Sequence, residues 1–482
     1  MAAQTIEGTL IGGKWQSAPG TLPVLNPADR SEIATVGYGG RDEALAAADA
    51  AEAAFPAWSD MPGRARADIL LEAGRALAGE AERIGHVLMQ ETGKRLPEAV
   101  AEVRFASEYF RWFAEQIRRP LGDVLSPEFP GRRHVSLRRP AGVAACLTPW
   151  NFPVSIQARK LAPALAAGCT TVSRVSEKAP LAAIEMFRCL TDAGLPVGVA
   201  NLVHGPAGEQ TEALLSHRAV RVVSFTGSTE VGRRIMALAS ERVVRPLLEL
   251  GGNAPFIVFA DADLDAALDG LLVAKFRNNG QSCIAANRFL VHESVYDEFR
   301  DRVAAAVEAM TVGDPAGDPA PDLGPLIDDA RVEAVAKLVA EAEDAGGRKL
   351  SSGGRLPSGG SYTAPCLVED VPTTSSIFEE EVFGPAAGLF RFETEAEAVG
   401  LANRTEMGLA AYFYTRDLRR SWRVAEQLEA GIIGCNSALP SSVYGPMGGV
   451  KQSGLGREGS HTGLEEFSDY RYVTWELGSG DQ

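Results

Sequence analysis

Val143-Ala-Ala-Cys-Leu147 is a short apolar run that breaks into the turn Thr148-Pro-Trp-Asn-Phe-Pro153. An uninterrupted apolar stretch of this length, closed by prolines, reads as a buried strand. The pattern then repeats. Periodicity predicts a helix over 155–167, a strand over 170–173, a helix over 179–193, a strand over 200–203, a helix over 210–215 and a strand over 220–225. Strand alternating with helix at this pitch implies a parallel sheet covered on both faces. Ligands on such sheets bind beyond the carboxyl ends of the strands. The fold class is therefore α/β.

Downstream a second series begins at Pro255-Phe-Ile-Val-Phe259, with a helix over 265–278, a strand over 288–292 and a helix over 295–310. A Gly/Pro-rich loop at 313–325 precedes a helix over 329–345, strands near 389–392 and 411–414, and a helix over 418–427. Upstream, 1–39 reads as short extended pieces broken by Gly and Pro. Ala-rich segments at 42–58, 63–79, 80–92 and 97–117 carry apolar residues at helical spacing. Alternation at 121–145 suits an edge strand or assembly arm. The alternating tail at 469–477 could pair with it, in the same subunit or a neighbour.

At 482 residues, with 45% apolar and 23% charged residues, the composition is that of a globular chain. A net charge of −16 argues against nucleic acid and anionic membrane surfaces as partners. The first residues lack the basic start and apolar run of a secretory signal, and no stretch has the length of a membrane span. The six cysteines are scattered without Cys-x-x-Cys spacing. Neither a disulfide framework nor a metal site is expected, and a reducing cytoplasm is the expected location.

Three strings carry chemistry. In Asn278-Asn-Gly-Gln-Ser-Cys283 a cysteine sits among amides, with Gly280 permitting close backbone approach. A reactive thiol needs its thiolate favoured and its sulfur reachable. Leu248-Glu-Leu-Gly-Gly-Asn253 places one carboxylate, Glu249, in an apolar run, a setting that raises its pKa toward a general-base value. A nucleophilic thiol with such a base suggests covalent chemistry at a carbonyl. Asn151, held between two prolines, could donate to an oxyanion. Phe225-Thr-Gly-Ser-Thr-Glu-Val-Gly232 sits between a predicted strand and helix, where backbone amides can meet a pyrophosphate. A plain turn with Ser228 or Thr229 as N-cap is the competing reading. Glu177 follows the second strand, where an acidic residue can bind ribose hydroxyls. The string Gly454-Leu-Gly-Arg-Glu-Gly459 matches a dinucleotide fingerprint but has no strand before it, and a substrate or lid loop is expected there instead.

Together with Glu380-Glu-Val-Phe-Gly-Pro385, these strings resemble the aldehyde dehydrogenase superfamily, in its order and over nearly the whole chain. The resemblance implies two Rossmann-like parallel-sheet domains plus a small β oligomerisation arm. It places an NAD-binding domain at 1–120 and 142–251, a catalytic domain at 252–450, and oligomerisation strands at 121–141 and 467–482. It implies Cys283 as nucleophile, Asn151 with the Cys283 N–H as oxyanion hole, and Glu249 as base for the deacylating water. Thr148, Pro149, Trp150, Arg174, Ser176, Glu177, Gly205, Gly227, Ser228, Val231 and Leu250 would line the NAD pocket. Glu381 and Phe383 would lie near the nicotinamide ribose. Lys160 and Glu458 match positions linked to proton relay in relatives. A homodimer or homotetramer is implied as well.

The pattern is most similar to succinate-semialdehyde dehydrogenases. There, arginines matching Arg159 and Arg277, with a serine matching Ser441 or Ser442, hold the distal carboxylate; guanidinium offers a bidentate fork for it. The competing reading pairs one or both arginines with internal acids. Where relatives read Lys-Pro-Ser/Ala-Glu, this chain reads Arg174-Val-Ser-Glu177. Glu177 would repel a 2′-phosphate and favours NAD, while Arg174 leaves NADP possible. Ala285 stands where some relatives carry a second cysteine, so no disulfide switch is expected. Tyr444 and Met447 leave room for an aromatic or other aliphatic aldehyde. A catalytically idle binding relative is the rival of another class.

Overall fold

Alanine at helical spacing lets helices pack closely, and 41–116 folds as four of them: α1 (Arg41–Asp60), α2 (Gly63–Gly79), α3 (Ala81–Thr92) and α4 (Leu96–Gln116). The computed structural model describes residues 4–119, 122–357 and 359–478. Parts of the predicted segments 1–120, 121–141 and 467–482, namely 1–3, 120–121 and 479–482, lie outside the described residues. The face of α4 formed by Val103, Tyr109, Phe110 and Phe113 is buried in the core shared with α2 and α3.

The alternating series forms β1 (Val143–Leu147), α5 (Ser155–Ala167), β2 (Thr170–Arg174), α6 (Leu181–Asp192), β3 (Ala200–Val203), α7 (Ala207–Ser216), β4 (Val220–Thr226), α8 (Thr229–Ser240) and β5 (Arg245–Glu249). These five strands are parallel, in the order β5-β4-β1-β2-β3. The chain direction switches between β1 and β4, so the loops at 148–154 and 227–228 flank a crevice at the carboxyl edge. Gly454–Leu455 returns from the far end of the chain to pair antiparallel with β5. The rejected glycine string is thus an edge strand under Glu249: a Cβ on Gly454 would lie 2.1 Å from the Leu248 carbonyl oxygen.

The second sheet contains β6 (Ala254–Val258), β7 (Ala286–His292), β8 (Cys366–Glu369), β9 (Ala386–Phe392), β10 (Ala410–Tyr414) and β11 (Ile432–Cys435), parallel in the order β8-β9-β7-β6-β10-β11. Helix α9 (Leu264–Phe276) crosses from β6 toward β7. Only Leu250, Gly251, Gly252 and Asn253 separate β5 from β6. So short a linker sets the carboxyl edge of the first sheet against the amino edge of the second. That junction is where Glu249 and Cys283 lie.

The arm and the tail pair within the same chain. Ser468–Glu476 runs antiparallel to Arg132–Pro140, which pairs in turn with Gly122–Leu125. Val124, Tyr470 and Tyr472 on this sheet are exposed. No helix among the described residues is long and apolar enough to cross a membrane.

Candidate active site

After α9 the backbone enters the left-handed region at three successive residues: Asn278 (φ 54), Asn279 (φ 57) and Gly280 (φ 74). Each non-glycine residue there costs about 1–2 kcal/mol, least for Asn. The amides offset this by bonding distant backbone. Asn278 Nδ2 donates to the carbonyls of Asn151 and Gln281 (both 3.0 Å). Asn279 Nδ2 donates to the carbonyls of Gly93 (3.2 Å) and Pro325 (2.9 Å), and its Oδ1 accepts from Gly324 N–H (2.8 Å). Gln281 Oε1 accepts from Ile327 N–H (2.9 Å). A Cβ on Gly280 would lie 2.3 Å from the Gly384 carbonyl oxygen, so glycine is required.

This turn delivers Cys283, which is partly exposed, while the Gly252 linker presses on its carbonyl: a Cβ there would sit 2.1 Å away. Asn151, 3% exposed, donates from Nδ2 to the Gln281 carbonyl (3.1 Å). The predicted nucleophile and oxyanion donor are thus on adjoining loops. The expectation of a favoured thiolate is not met in this state. Burial, then the Glu381 charge, pushes the thiol up to about 12, and Arg159 offsets only part of that.

Glu249 ends β5 with 1% exposure and, among the described residues, no hydrogen-bond partner for either oxygen. Burial, then the Glu458 charge, pushes its carboxyl up, outweighing Arg159 and Lys160. Those two cations are engaged by Glu458 instead. Lys160 Nζ contacts Glu458 Oε1 and donates to Ser224 Oγ (3.0 Å), and Arg159 Nε lies 2.7 Å from Glu458 Oε2. Burial acts to raise Glu458, but the two cations outweigh it and hold that carboxyl below its ordinary value. Two buried carboxylates are thus driven in opposite directions, one paired and the other free to take a proton.

The crevice between β1 and β4 gathers the predicted cofactor positions. Val231, 40% exposed, lies in the first turn of α8, where Ser228 caps its N–H (3.4 Å). Thr148 Oγ1 donates to Gln157 (2.9 Å), Leu250 N–H to the Ser453 carbonyl (2.9 Å), and Ser176 Oγ accepts from Lys178 N–H (3.3 Å). Trp150, after Pro149, meets Phe383 edge-on at 5.5 Å between centroids. Glu381 accepts from Gly252 N–H (3.1 Å), and burial pushes it up to about 7. At the end of β2, Arg174 pairs with Glu177 and donates to the Gly205 carbonyl (2.9 Å). The buried Thr226 hydroxyl, without a hydrogen-bond partner among the described residues, suits a ligand laid against the start of α8. The residues fit a dinucleotide.

The two arginines part company. Arg159 is spent on Glu458. Arg277 forms no ion pair among the described residues; its guanidinium stands over the Phe152 ring (5.5 Å), one residue from Asn151. Its charge acts on the Tyr412 hydroxyl, which donates to the Ile284 carbonyl (2.8 Å) beside the thiol. Ser442 Oγ accepts from Gly445 N–H (3.1 Å), and Ser441 Oγ contacts the Met447 sulfur (3.9 Å). Met447 is buried, whereas Tyr444 is 65% exposed against Trp112.

The aldehyde dehydrogenase family profile matches residues 15–473. The NADP+ succinate-semialdehyde dehydrogenase of Escherichia coli is 43% identical over 466 residues, covering 96% of each chain. The glutarate-semialdehyde dehydrogenase of Pseudomonas putida is 43% identical, also over 96% of each chain. The crystal structure of succinate-semialdehyde dehydrogenase from Burkholderia pseudomallei superposes with a TM-score of 0.95 at 44% identity, covering 97% of this chain and 98% of that one.

Proposed function

The chain belongs to the aldehyde dehydrogenase family, and on that premise we propose that it oxidises succinate semialdehyde, or a close ω-carboxy aldehyde, to the dicarboxylate. Cys283 Sγ adds to the aldehyde carbon, and the resulting oxyanion is received by the Asn151 amide and the Cys283 N–H. A dinucleotide held in the β1/β4 crevice, NAD or NADP, would supply the acceptor for the hydride. Glu249 then takes a proton from the water that hydrolyses the thioester; its raised pKa and unpartnered oxygens suit that task. Ordered pairing of Arg159 and Lys160 with Glu458 keeps a second carboxylate ionised beside it.

We propose that the dinucleotide lies in the β1/β4 crevice, with Trp150, Val231, Leu250, Glu381 and Phe383 along it and Glu177 at the ribose end. Pairing with Glu177 leaves Arg174 little charge for a 2′-phosphate, which favours NAD. The exposed arm strands support a homodimer or homotetramer. Six free cysteines, four of them buried, support a reducing, cytoplasmic setting.

The observation that carries the substrate assignment is the Arg277 guanidinium over the Phe152 ring, one residue from Asn151 and without an ion pair among the described residues. NADH formation with succinate semialdehyde should exceed that with butanal, and Arg277→Ala should remove about 10- to 100-fold of the advantage, as loss of a charged hydrogen bond does. Equal rates with both aldehydes and a neutral mutation would sink the carboxylate assignment. The Pseudomonas putida relative favours a second reading, glutarate semialdehyde. One methylene is worth only about 1–3 kcal/mol, so that substrate belongs in the same assay.

A further inference from the structure

The loops carrying Asn151 and Cys283 are both gripped by the turn between α3 and α4, far upstream in the chain. Gly93 closes α3 in a left-handed conformation (φ 75), and its carbonyl accepts from Asn279 Nδ2 (3.2 Å). A Cβ there would lie 2.8 Å from the Pro325 carbonyl oxygen. In the first turn of α4, Glu98 Oε2 accepts from Asn278 N–H (3.2 Å).

Between these contacts sits Lys94, with 1% of its side chain exposed. Its Nζ donates to the Asn151 carbonyl (2.8 Å), pairs with Glu102 Oε2 and lies 4.3 Å from the Phe152 ring centroid. Glu102 Oε1 accepts from the N–H groups of Val154 (3.1 Å) and Ser155 (3.2 Å), where α5 begins. One buried ion pair therefore holds the oxyanion loop on both sides of Phe152-Pro153. A buried pair is a weak source of net stability because desolvation cancels much of its attraction. What this pair supplies is position.

The Asn151 side chain has little of its own to aim it. Nδ2 reaches the Gln281 carbonyl, and Oδ1 is buried without a partner among the described residues. The direction of the amide is thus set by its backbone, whose carbonyl takes Lys94 from one side and Asn278 from the other. We propose that Lys94 is a positioning residue for the reaction: with Glu102 it fixes Asn151 relative to Cys283, so that the amide meets the oxyanion. This rests on the assignment of Asn151 as oxyanion donor.

A double-mutant cycle tests it. Lys94→Met/Glu102→Gln removes both charges, so no lone carboxylate is left buried, and the Gln carbonyl can still accept from Val154 and Ser155. Its kcat should fall about 10- to 100-fold, the scale of a misplaced catalytic group. The aldehyde KM and the dinucleotide Kd, read by fluorescence titration, should stay within about threefold, because neither depends on the oxyanion. In an Asn151→Ala background, itself down about 100- to 1,000-fold, the same change should cost under about threefold.

An undiminished loss in that background, or an unaltered kcat in the paired variant, overturns the proposal and leaves Asn151 as oxyanion donor. If Asn151→Ala alone keeps near-normal kcat, the oxyanion assignment fails and the proposal with it. Should the paired variant not fold, Glu102→Gln alone serves. Its smaller kcat loss should vanish in the Asn151→Ala background, and persistence of that loss overturns the proposal.

Discussion

The loop at 277–283 and the loop at 436–446 both border the proposed reaction centre, yet they are held in opposite ways. The first buries Asn278, Asn279 and Gln281 and bonds them to segments up to 186 residues away. The second exposes Leu439 and Tyr444 and satisfies Ser441 and Ser442 within its own few residues. The second loop also has longer ties, Asn436 to Thr415 and Tyr444 to Trp112, but its serines are held locally and can change without releasing a distant element. We propose that the first loop carries the reaction and, through Arg277 at its start, the reading of charge on the aldehyde, while the second shapes the entrance.

The largest effect is expected at the rigid end. Glu249→Gln keeps the shape and removes the base, so about one NADH per subunit should still form in a burst while steady turnover falls about 100- to 10,000-fold. The wild-type pH profile follows from the same carboxyl. A base works only when deprotonated, and burial raises Glu249 above its ordinary 4.5. Turnover should therefore be lost, as pH falls, well above that value, and the Gln variant should lack this limb. An acid limb at an ordinary carboxylate pKa, or a missing burst, would remove Glu249 from the role.

A middle-sized effect separates the two arginines. Arg277 has no ion pair among the described residues and should govern the preference for charged aldehydes. Arg159 is bound to Glu458 and lowers both that carboxyl and Glu249. Removing its positive charge in Arg159→Met should let Glu249 rise, moving the acid limb to higher pH, with charge preference retained within about threefold. Rates for succinate semialdehyde and butanal across pH decide this. Collapse of the charge preference in Arg159→Met, with a stationary limb, would make Arg159 a second clamp and blur the division.

How far these parts could be read beforehand follows their locality. β1 to β4 were legible because each is a continuous apolar run between turn signals. β5 was hidden by Arg245 and Pro246, β11 by Gly434, and β8 by Glu369, an acid buried in the strand and paired with Arg348. Cys283, Glu249 and Asn151 stood out because each lies in a short string with an unusual neighbourhood. Lys94 and Glu102 gave no such signal. Their targets lie 57 and 52 residues further on, and Lys94 falls in the gap between two predicted helices while Glu102 sits inside the second, so nothing local links them. The pairing of Arg159 with Glu458 spans nearly 300 residues, so the sequence allowed an internal acid as partner for an arginine without showing which acid or which arginine.

The smallest effect is expected in the exposed loop. Ser441 and Ser442 hold only Met447 sulfur and Gly445 N–H, so neither supports a distant element. Replacing either by Ala should leave the thermal midpoint and kcat almost unchanged. If one serine helps Arg277 receive the carboxylate, its loss should raise KM for succinate semialdehyde about 2- to 10-fold, the scale of a neutral hydrogen bond, and leave butanal unaffected. A KM change shared by both aldehydes would mean that the loop shapes the entrance without reading charge. A fall in kcat would be more damaging, because it would show that the loose loop takes part in positioning the thiol.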